Sequence, residues 1–573
     1  MDFAQTTSSD GVLCFAAGAA ANAIRGSIAL RDAQAAAHAA DGAARAGGGP
    51  AITAAVGLAD SLRLAAGLVT ACGDRLPVVA AVALSSDEAD VALPALRTAS
   101  RTLLDLRDGS AMGDLAQLLA TRSPVVVVTA DSESLATAVE GAASAIADWS
   151  HAAAVAAFDD AESESATAAL PALRDSKRPV ILVGRGAAVG SDPVAIARLA
   201  KTWQAPVCLT FSATGMPASV LGRFLAAFSA DVPVLPAGTV PWSTALARAD
   251  RILALGSGVA ETDWFGLTEA RLVRTPVTLV ALEPESEGVA ETIVNCEAGS
   301  FSMALVEELE RGGALTADGW SERFIEARAK WTELVDDEAQ RGVGDEVLSA
   351  ALVARQIVSA APAETVFVGE GGASGMWLAS YAWLRPIAMP AQHASIGASI
   401  GMAVGIAAAE PQRPVWAVVG DGAFFYCARE LATLTERGAP VVVFVFNDRS
   451  WNAIRLVQTL FFRRRTVGTD LPSVNYRDMA DLHGAESIRV KTAGDLAKAL
   501  SMAQEPRTRP LVVDVRIEKG AIPFVGANLI LAEVDGVLRS LSGAAAVSSG
   551  VAAAKDRPAL LANLRVIRGA VRK

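Results

Sequence analysis

Short Val-rich runs alternate with longer Ala-rich stretches along most of this chain. Brief apolar runs bounded by Gly or Pro read as strands buried on both faces, and the stretches between them as helices. Regular alternation of the two predicts βαβ units and parallel sheets. Strands are predicted near Gly11–Phe15, Pro50–Ala54, Leu76–Ala83 and Val125–Thr129, then at Arg178–Gly186, Ala205–Thr210, Arg251–Gly256 and Val277–Ala281. A third set lies at Glu364–Glu370, Pro414–Gly420 and Val441–Phe446, with a helix over Ala428–Arg437 and the third block closing at Val515. The fold class is α/β, with three doubly wound parallel-sheet domains over 1–160, 176–335 and 345–535. Phe158–Asp175, rich in Ala, Ser and acidic residues, reads as a linker, and the charged stretch Ser321–Gln340 as a helix leading out of the second block. Residues 536–573, Ala/Ser/Gly-rich and then basic, read as a tail or lid.

A length of 573 residues fits about three domains. With 52% hydrophobic and 20% charged residues, the chain can bury large cores. The net charge of −12 argues against nucleic acid as a partner, because phosphate backbones call for basic surfaces. No apolar run is long enough to span a bilayer, and Met1–Asp10 is polar and acidic, unlike a signal peptide. The five cysteines have no metal-ligand spacing and fit a reducing compartment. The cytoplasm is the expected location, with no membrane partner. Cys427 reads as core packing, or else as a reactive thiol. The basic cluster Arg463-Arg464-Arg465 reads as a solvated turn, or else as a clamp for an anionic substrate or diphosphate.

The chemistry concentrates in the third block. Asp421 of Gly420-Asp421-Gly422 follows one predicted strand, and Asp448 of Asn447-Asp448-Arg449-Ser450 follows the next, 27 positions on (448 − 421). One βαβ unit therefore puts two carboxylates at the carboxyl ends of two strands, where open α/β sheets build ligand sites. Two carboxylates and a backbone carbonyl make a hard oxygen site suited to Mg²⁺ and a diphosphate. Glu370-Gly371-Gly372-Ala373-Ser374, at another strand end, reads on its own as an ordinary glycine turn, or else as an anion cradle. His393 and Ile396 stand in Gln392-His393-Ala394-Ser395-Ile396-Gly397. His393 is a proton shuttle or a satisfied core histidine.

Gly420-Asp421-Gly422 with Asn447-Asp448 resembles the cofactor motif of thiamine diphosphate (ThDP) enzymes, in their acetolactate-synthase-like branch. That family usually ends the motif in Asn-Asn where this chain has Asn-Asp. The resemblance implies pyrimidine-binding, central and diphosphate-binding domains in that order. It implies metal ligation by Asp421, Asp448 and the carbonyl of Ser450. Cofactor contacts fall on Gly371, Gly372, Ala373, Ser374, Ile396, Gly420, Asp421, Gly422, Ala423, Asp448 and Trp451. Ile396 takes the place of the apolar wedge that bends the cofactor, or is an ordinary core residue. Trp451–Arg455 and Gln458–Arg465 resemble the segment that closes over substrate. Asn447–Trp451, Phe461-Phe462 and Arg464-Arg465 look most like sulfoacetaldehyde acetyltransferase.

The pattern breaks in the first block. The family motif there carries a Glu that drives cofactor activation, and in Arg31-Asp32-Ala33-Gln34-Ala35-Ala36 the register puts Ala33 at that place. Asp32 takes the role after a one-residue shift, or the enzyme works without the acid as glyoxylate carboligases do, or the chain binds ThDP with little activity. The family's Gly-Pro-Gly turn is also missing from Thr53–Gly57, and the stretch before Gly11 is short for the usual first helix. The resemblance implies a ThDP- and Mg²⁺-dependent lyase or carboligase acting on a 2-oxo acid or related carbonyl compound through a cofactor carbanion and enamine. The alternatives are acetyl transfer to phosphate and a ThDP-binding paralogue. It further implies a homodimer or homotetramer with sites between subunits. FAD is a further family cofactor, and Gly184-Arg185-Gly186 reads as its remnant or, preferably, as an ordinary turn.

Overall fold

The computed structural model describes residues 12–524, 562 and 565, apart from 48, 101, 109–111, 113–114, 120–123, 148, 150–163, 216–217, 259–274, 283–289, 342–345, 383, 391–394 and 463–464. The described residues form three six-stranded sheets, and every strand pairing is parallel.

The first sheet comprises β1 (Cys14–Ala17), β2 (Ile28–Leu30), β3 (Ala51–Val56), β4 (Val78–Ala83), β5 (Thr102–Asp105) and β6 (Val125–Thr129), ordered β2-β1-β3-β4-β6-β5. The second comprises β7 (Pro179–Val183), β8 (Val207–Leu209), β9 (Val234–Leu235), β10 (Arg251–Leu255), β11 (Val277–Ala281) and β12 (Thr292–Asn295), ordered β12-β11-β10-β7-β8-β9. The third comprises β13 (Val366–Gly369), β14 (Ile387–Ala388), β15 (Val415–Gly420), β16 (Val442–Asn447), β17 (Glu486–Val490) and β18 (Leu511–Arg516), ordered β14-β13-β15-β16-β18-β17. The first and third sheets thus share one topology, and the second has another.

Continuous apolar runs found the central strands. Seven strands escape the prediction, and six of them, β2, β5, β9, β12, β14 and β17, lie at the edges of their sheets. They are only two or three residues long, or carry polar residues on a half-exposed face, as in Thr102–Asp105 and Glu486–Val490. Leu511–Arg516, read only as the close of the third block, is an interior strand. Two further expectations are corrected. Glu164–Arg174, within the expected linker, is a helix, while residues 158–163 lie outside the described ones. The helix expected over Ala428–Arg437 begins earlier, at Asp421. It runs to Cys427, tightens into a 3₁₀ turn over Ala428–Glu430 and resumes over Leu431–Glu436. The expected tail from 536 lies outside the described residues except for 562 and 565.

The third sheet is the centre of the molecule. Along β16, Val443 and Val445 belong to an apolar core shared with the first domain, while Val442, Phe444 and Phe446 belong to one shared with the second. Side chains that alternate across a strand thereby join three domains through one sheet. The first and third domains also meet where helix Ala33–Gly47 crosses helix Ala398–Ala409. The approach is backbone against backbone. A Cβ on Gly405 would stand 1.8 Å from the Ala39 carbonyl oxygen, and one on Gly42 would stand 2.2 Å from that of Met402. Beside the crossing, the buried Arg45 guanidinium bonds Asp41 (2.5 Å) and Asp74 (2.6 Å) and donates to the Met389 carbonyl (3.3 Å). Among the described residues, no helix is long and apolar enough to cross a membrane.

Gly405→Ala is expected to lower unfolding free energy by at least about 2 kcal/mol, because the added methyl has no room between the two backbones. Gly222→Ala, in helix Ala218–Ala227 with nothing within 4 Å of the new Cβ, should instead stabilise by about 0.5 kcal/mol. Denaturant unfolding of the two variants checks both signs.

Candidate active site

The third sheet runs outward in both directions from β13 and β15, so a crevice opens beyond their carboxyl ends, at the topological switch point. A cavity of about 270 Å³ occupies that place. Its wall is made by Glu370–Ser374 after β13, Gly420–Ala423 after β15, and Asp448, Ser450 and Trp451 after β16, with Ile396 at the rim. Residues expected from separate stretches of the chain therefore meet in one cavity.

Asp421 and Asp448 are both buried. Gly422 N–H donates to Asp421 Oδ1 (2.9 Å) and Arg449 N–H to its Oδ2 (2.7 Å). Arg449 adopts a left-handed backbone (φ 55°), costly for a residue with a side chain, within the loop that delivers this second donor. Gly520 N–H donates to Asp448 Oδ2 (3.3 Å). Burial pushes the Asp421 carboxyl up to about 7, with the Asp448 charge adding to the shift. Burial likewise pushes Asp448 up to about 6. Two carboxylates in a poorly solvated floor favour a divalent cation held by oxygen. Among the described residues, no group of three or more His, Cys, Asp or Glu is arranged for a metal. Ser450 is among the residues that line the cavity, and its buried hydroxyl has no hydrogen-bond partner. Tyr476 carries a second buried hydroxyl without a partner, and the nearby Asp421 carboxylate adds to the upward push that burial gives it.

The opposite wall suits an anion. Gly371 and Gly372 lead into helix Ala373–Tyr381, and a Cβ at Gly372 would meet nothing within 4 Å, so the backbone there is open to the cavity. Gly422 is constrained differently: its Cβ would stand 2.5 Å from the Trp451 ring. Ile396 is 50% exposed at the rim rather than packed in a core.

The first-domain candidates sit apart from the cavity lining. Ala33 is buried as the first residue of its helix. Asp32 Oδ1 accepts from the N–H groups of Gln34 (2.9 Å) and Ala35 (3.4 Å) and pairs with Arg429 (3.2 Å), as a helix cap does. The next side chain touches a lining residue: Gln34 Nε2 donates to Ser395 Oγ (3.0 Å) on the rim. Arg465 is exposed and does not line the cavity. His393, Arg463 and Arg464 lie outside the described residues. The Gly184–Gly186 turn has a packing reason. A Cβ on Gly184 would stand 2.4 Å from the Gly256 carbonyl oxygen, and the buried Arg185 donates to the Gly215 carbonyl (2.7 Å). Sequence reasoning did not find the Gly520 donor, which is 72 positions from Asp448, or the hydrogen bonds that Glu370 accepts from Gly397 and Ser399.

Residues 370–515 match the family model for the thiamine pyrophosphate enzyme C-terminal TPP binding domain. Residues 166–297 match the model for the central domain of the same enzymes. The chain is 25% identical over 381 residues to an acetolactate synthase of Mycobacterium leprae, covering 63% of this chain and 58% of that relative. It is 24% identical over 383 residues to an acetolactate synthase large subunit of Corynebacterium glutamicum, covering 63% and 58%. It is 27% identical over 374 residues to a sulfoacetaldehyde acetyltransferase of Alcaligenes xylosoxydans xylosoxydans, covering 59% and 60%.

Both floor carboxyls have folded-state pKa values above those of the unfolded chain. Without cation, the folded protein therefore holds more protons than the unfolded chain between about pH 4 and 7. The resulting stability is full at the low end of that window and lost as pH rises through about 6 and 7. Asp421→Asn is expected to raise the Tm of the cation-free protein at pH 8 by a few degrees, with the gap closing toward pH 5. Calorimetry across that range checks it, and a gap independent of pH would contradict the assignment.

Proposed function

The chain belongs with the thiamine pyrophosphate enzymes, whose central and C-terminal TPP-binding domains it carries, and on that basis we propose a ThDP- and Mg²⁺-dependent lyase or carboligase of the acetolactate synthase type. Residues 1–160 would act as the pyrimidine side, 176–335 as the central domain and 345–535 as the diphosphate side. The observation that carries the reading is that the buried Asp421–Asp448 pair, Ser450 and the Gly371–Ser374 turn line one cavity.

These residues fit a metal diphosphate. Asp421 and Asp448 would hold Mg²⁺ with the carbonyl oxygen of Ser450, and the backbone at Gly371–Ser374 would take the diphosphate at the start of its helix. When bound, thiamine diphosphate supplies the nucleophilic carbon and the electron sink for making or breaking a bond to a carbonyl carbon. Ile396 would press against the cofactor as the wedge. Trp451, Tyr426 and Ile454 would exclude water from the mouth. Ile396, Tyr426, Phe425 and Ile454 are all substantially exposed, which supports a second copy of the chain closing the site in a homodimer or higher homo-oligomer. With Ala33 at the start of its helix, this chain offers no acid from that residue to the cofactor. Activation would then proceed without it, as in glyoxylate carboligases, or activity would be low. The likeness to sulfoacetaldehyde acetyltransferase supports a second reading, acetyl transfer to phosphate. Phosphate-independent turnover would remove it.

Asp421→Ala is expected to abolish Mg²⁺-dependent ThDP binding, read as quenching of the cavity tryptophans Trp377 and Trp451. Unchanged affinity would refute the metal assignment. Ala33→Glu is expected to speed exchange of the cofactor C2 proton by roughly 100-fold, the usual size of a positioned acid–base group. NMR in deuterated solvent measures it, and an unchanged rate would remove Ala33 from the family position.

A further inference from the structure

One carboxyl in the cavity wall is unused by this reading. Glu370 directly follows β13 and is only 3% exposed. Its Oε1 accepts from Gly397 N–H (3.1 Å), and its Oε2 accepts from Ser399 N–H (3.3 Å) and Ser399 Oγ (2.8 Å). The two N–H groups belong to the start of helix Ala398–Ala409, where backbone donors have no partner within the helix. The positive end of the helix also favours a carboxylate there. Ile396 immediately precedes these residues, and Ser395, before it, is the rim group that Gln34 reaches. Glu370 itself is fixed from behind: its N–H donates to the Val418 carbonyl (3.2 Å), and a Cβ on Gly375 would stand 2.0 Å from its own carbonyl oxygen.

We propose that Glu370 is a positioning residue, whose carboxylate ties the end of β13 to the 395–399 turn and so holds Ile396 at the cavity and Ser395 at the first domain. The consequence for cofactor binding rests on the ThDP reading above. Glu370 would not touch reacting atoms; it would act through Ile396.

Glu370→Gln keeps the shape but replaces one acceptor oxygen with a donor. Hydrogen exchange of the full chain without cation or cofactor should become roughly ten-fold faster at the amides of residues 396–399, the expected loss for a bond to a charged acceptor. Helix Ala33–Gly47 should exchange as before. Mg-ThDP affinity, followed by tryptophan quenching, should fall roughly ten-fold, since small displacements of a positioning group carry that cost. The near-ultraviolet circular dichroism of the bound cofactor should change with it. Ser399→Ala removes one of the three donors and should shift exchange and affinity the same way by less, which keeps the test alive if Glu370→Gln fails to fold. Unchanged exchange at 396–399 would overturn the proposal. So would faster exchange with unchanged affinity and dichroism, because the carboxyl would then hold the helix without positioning the site. If the parent protein does not bind Mg-ThDP, the functional reading fails, and the exchange measurement alone decides whether Glu370 holds the turn.

Discussion

The contact of helix Ala33–Gly47 with helix Ala398–Ala409 is the constraint on which the site depends. Gly42, Gly401 and Gly405 let two backbones touch where any side chain would hold them apart. Nearly every residue of both helices is buried, which is why both are so rich in alanine and glycine. The crossing merges the first and third domains into one apolar core and fixes the start of the first helix beside the cavity rim. The buried Arg45, shared between two first-domain carboxylates and a third-domain carbonyl, makes the orientation specific: a slip would leave charges unpaired in an apolar setting.

The second and third sheets use their switch points differently. In the third, β13 and β15 leave an open crevice, and the loops at their ends carry the carboxylates and the glycine turn. In the second, β7 and β10 flank the reversal, but the turns after them pack into each other through Gly184 and Gly256. The same architectural opportunity is thus lined with oxygen donors in one domain and closed by backbone contact in another. In the third domain, the polar groups at the cavity come from a few loop residues: the left-handed Arg449, whose N–H reaches Asp421, Ser450 with its unpartnered hydroxyl, and the aspartates themselves.

Much of this was legible along the chain, for local reasons. Central parallel strands are continuous apolar runs, and Val415–Gly420 and Val442–Asn447 end where glycine or a polar residue interrupts them. That punctuation located Asp421 and Asp448 before any contact was known. The edge strands were illegible because short or half-exposed segments lack a continuous apolar signal. The early helix start at Asp421 was hidden by Gly422, which reads as a turn residue but in fact makes room for the Trp451 ring. Contacts joining distant segments left no local trace. Glu370 looked like part of a glycine turn, and nothing near it in sequence points to Ser399. Arg31 N–H bonds the buried Glu430, 399 positions away, and that pairing also leaves no pattern in either neighbourhood.

The order of these segments along the chain also matters during synthesis. The alanine face of helix Ala33–Gly47 finds its partner only after the whole central domain has been made; Gln34 and Ser395 are 361 positions apart. At ordinary ribosomal speeds, roughly 5–20 residues per second, that is a delay of roughly 20–70 s in which a nascent first domain exposes an unpaired apolar surface. The small, weakly hydrophobic methyls of alanine make that interval safer than leucines would, since less apolar area per residue is left facing water. The composition that permits the tight crossing in the finished protein is therefore also one that suits a ribosome-bound chain waiting for its second half.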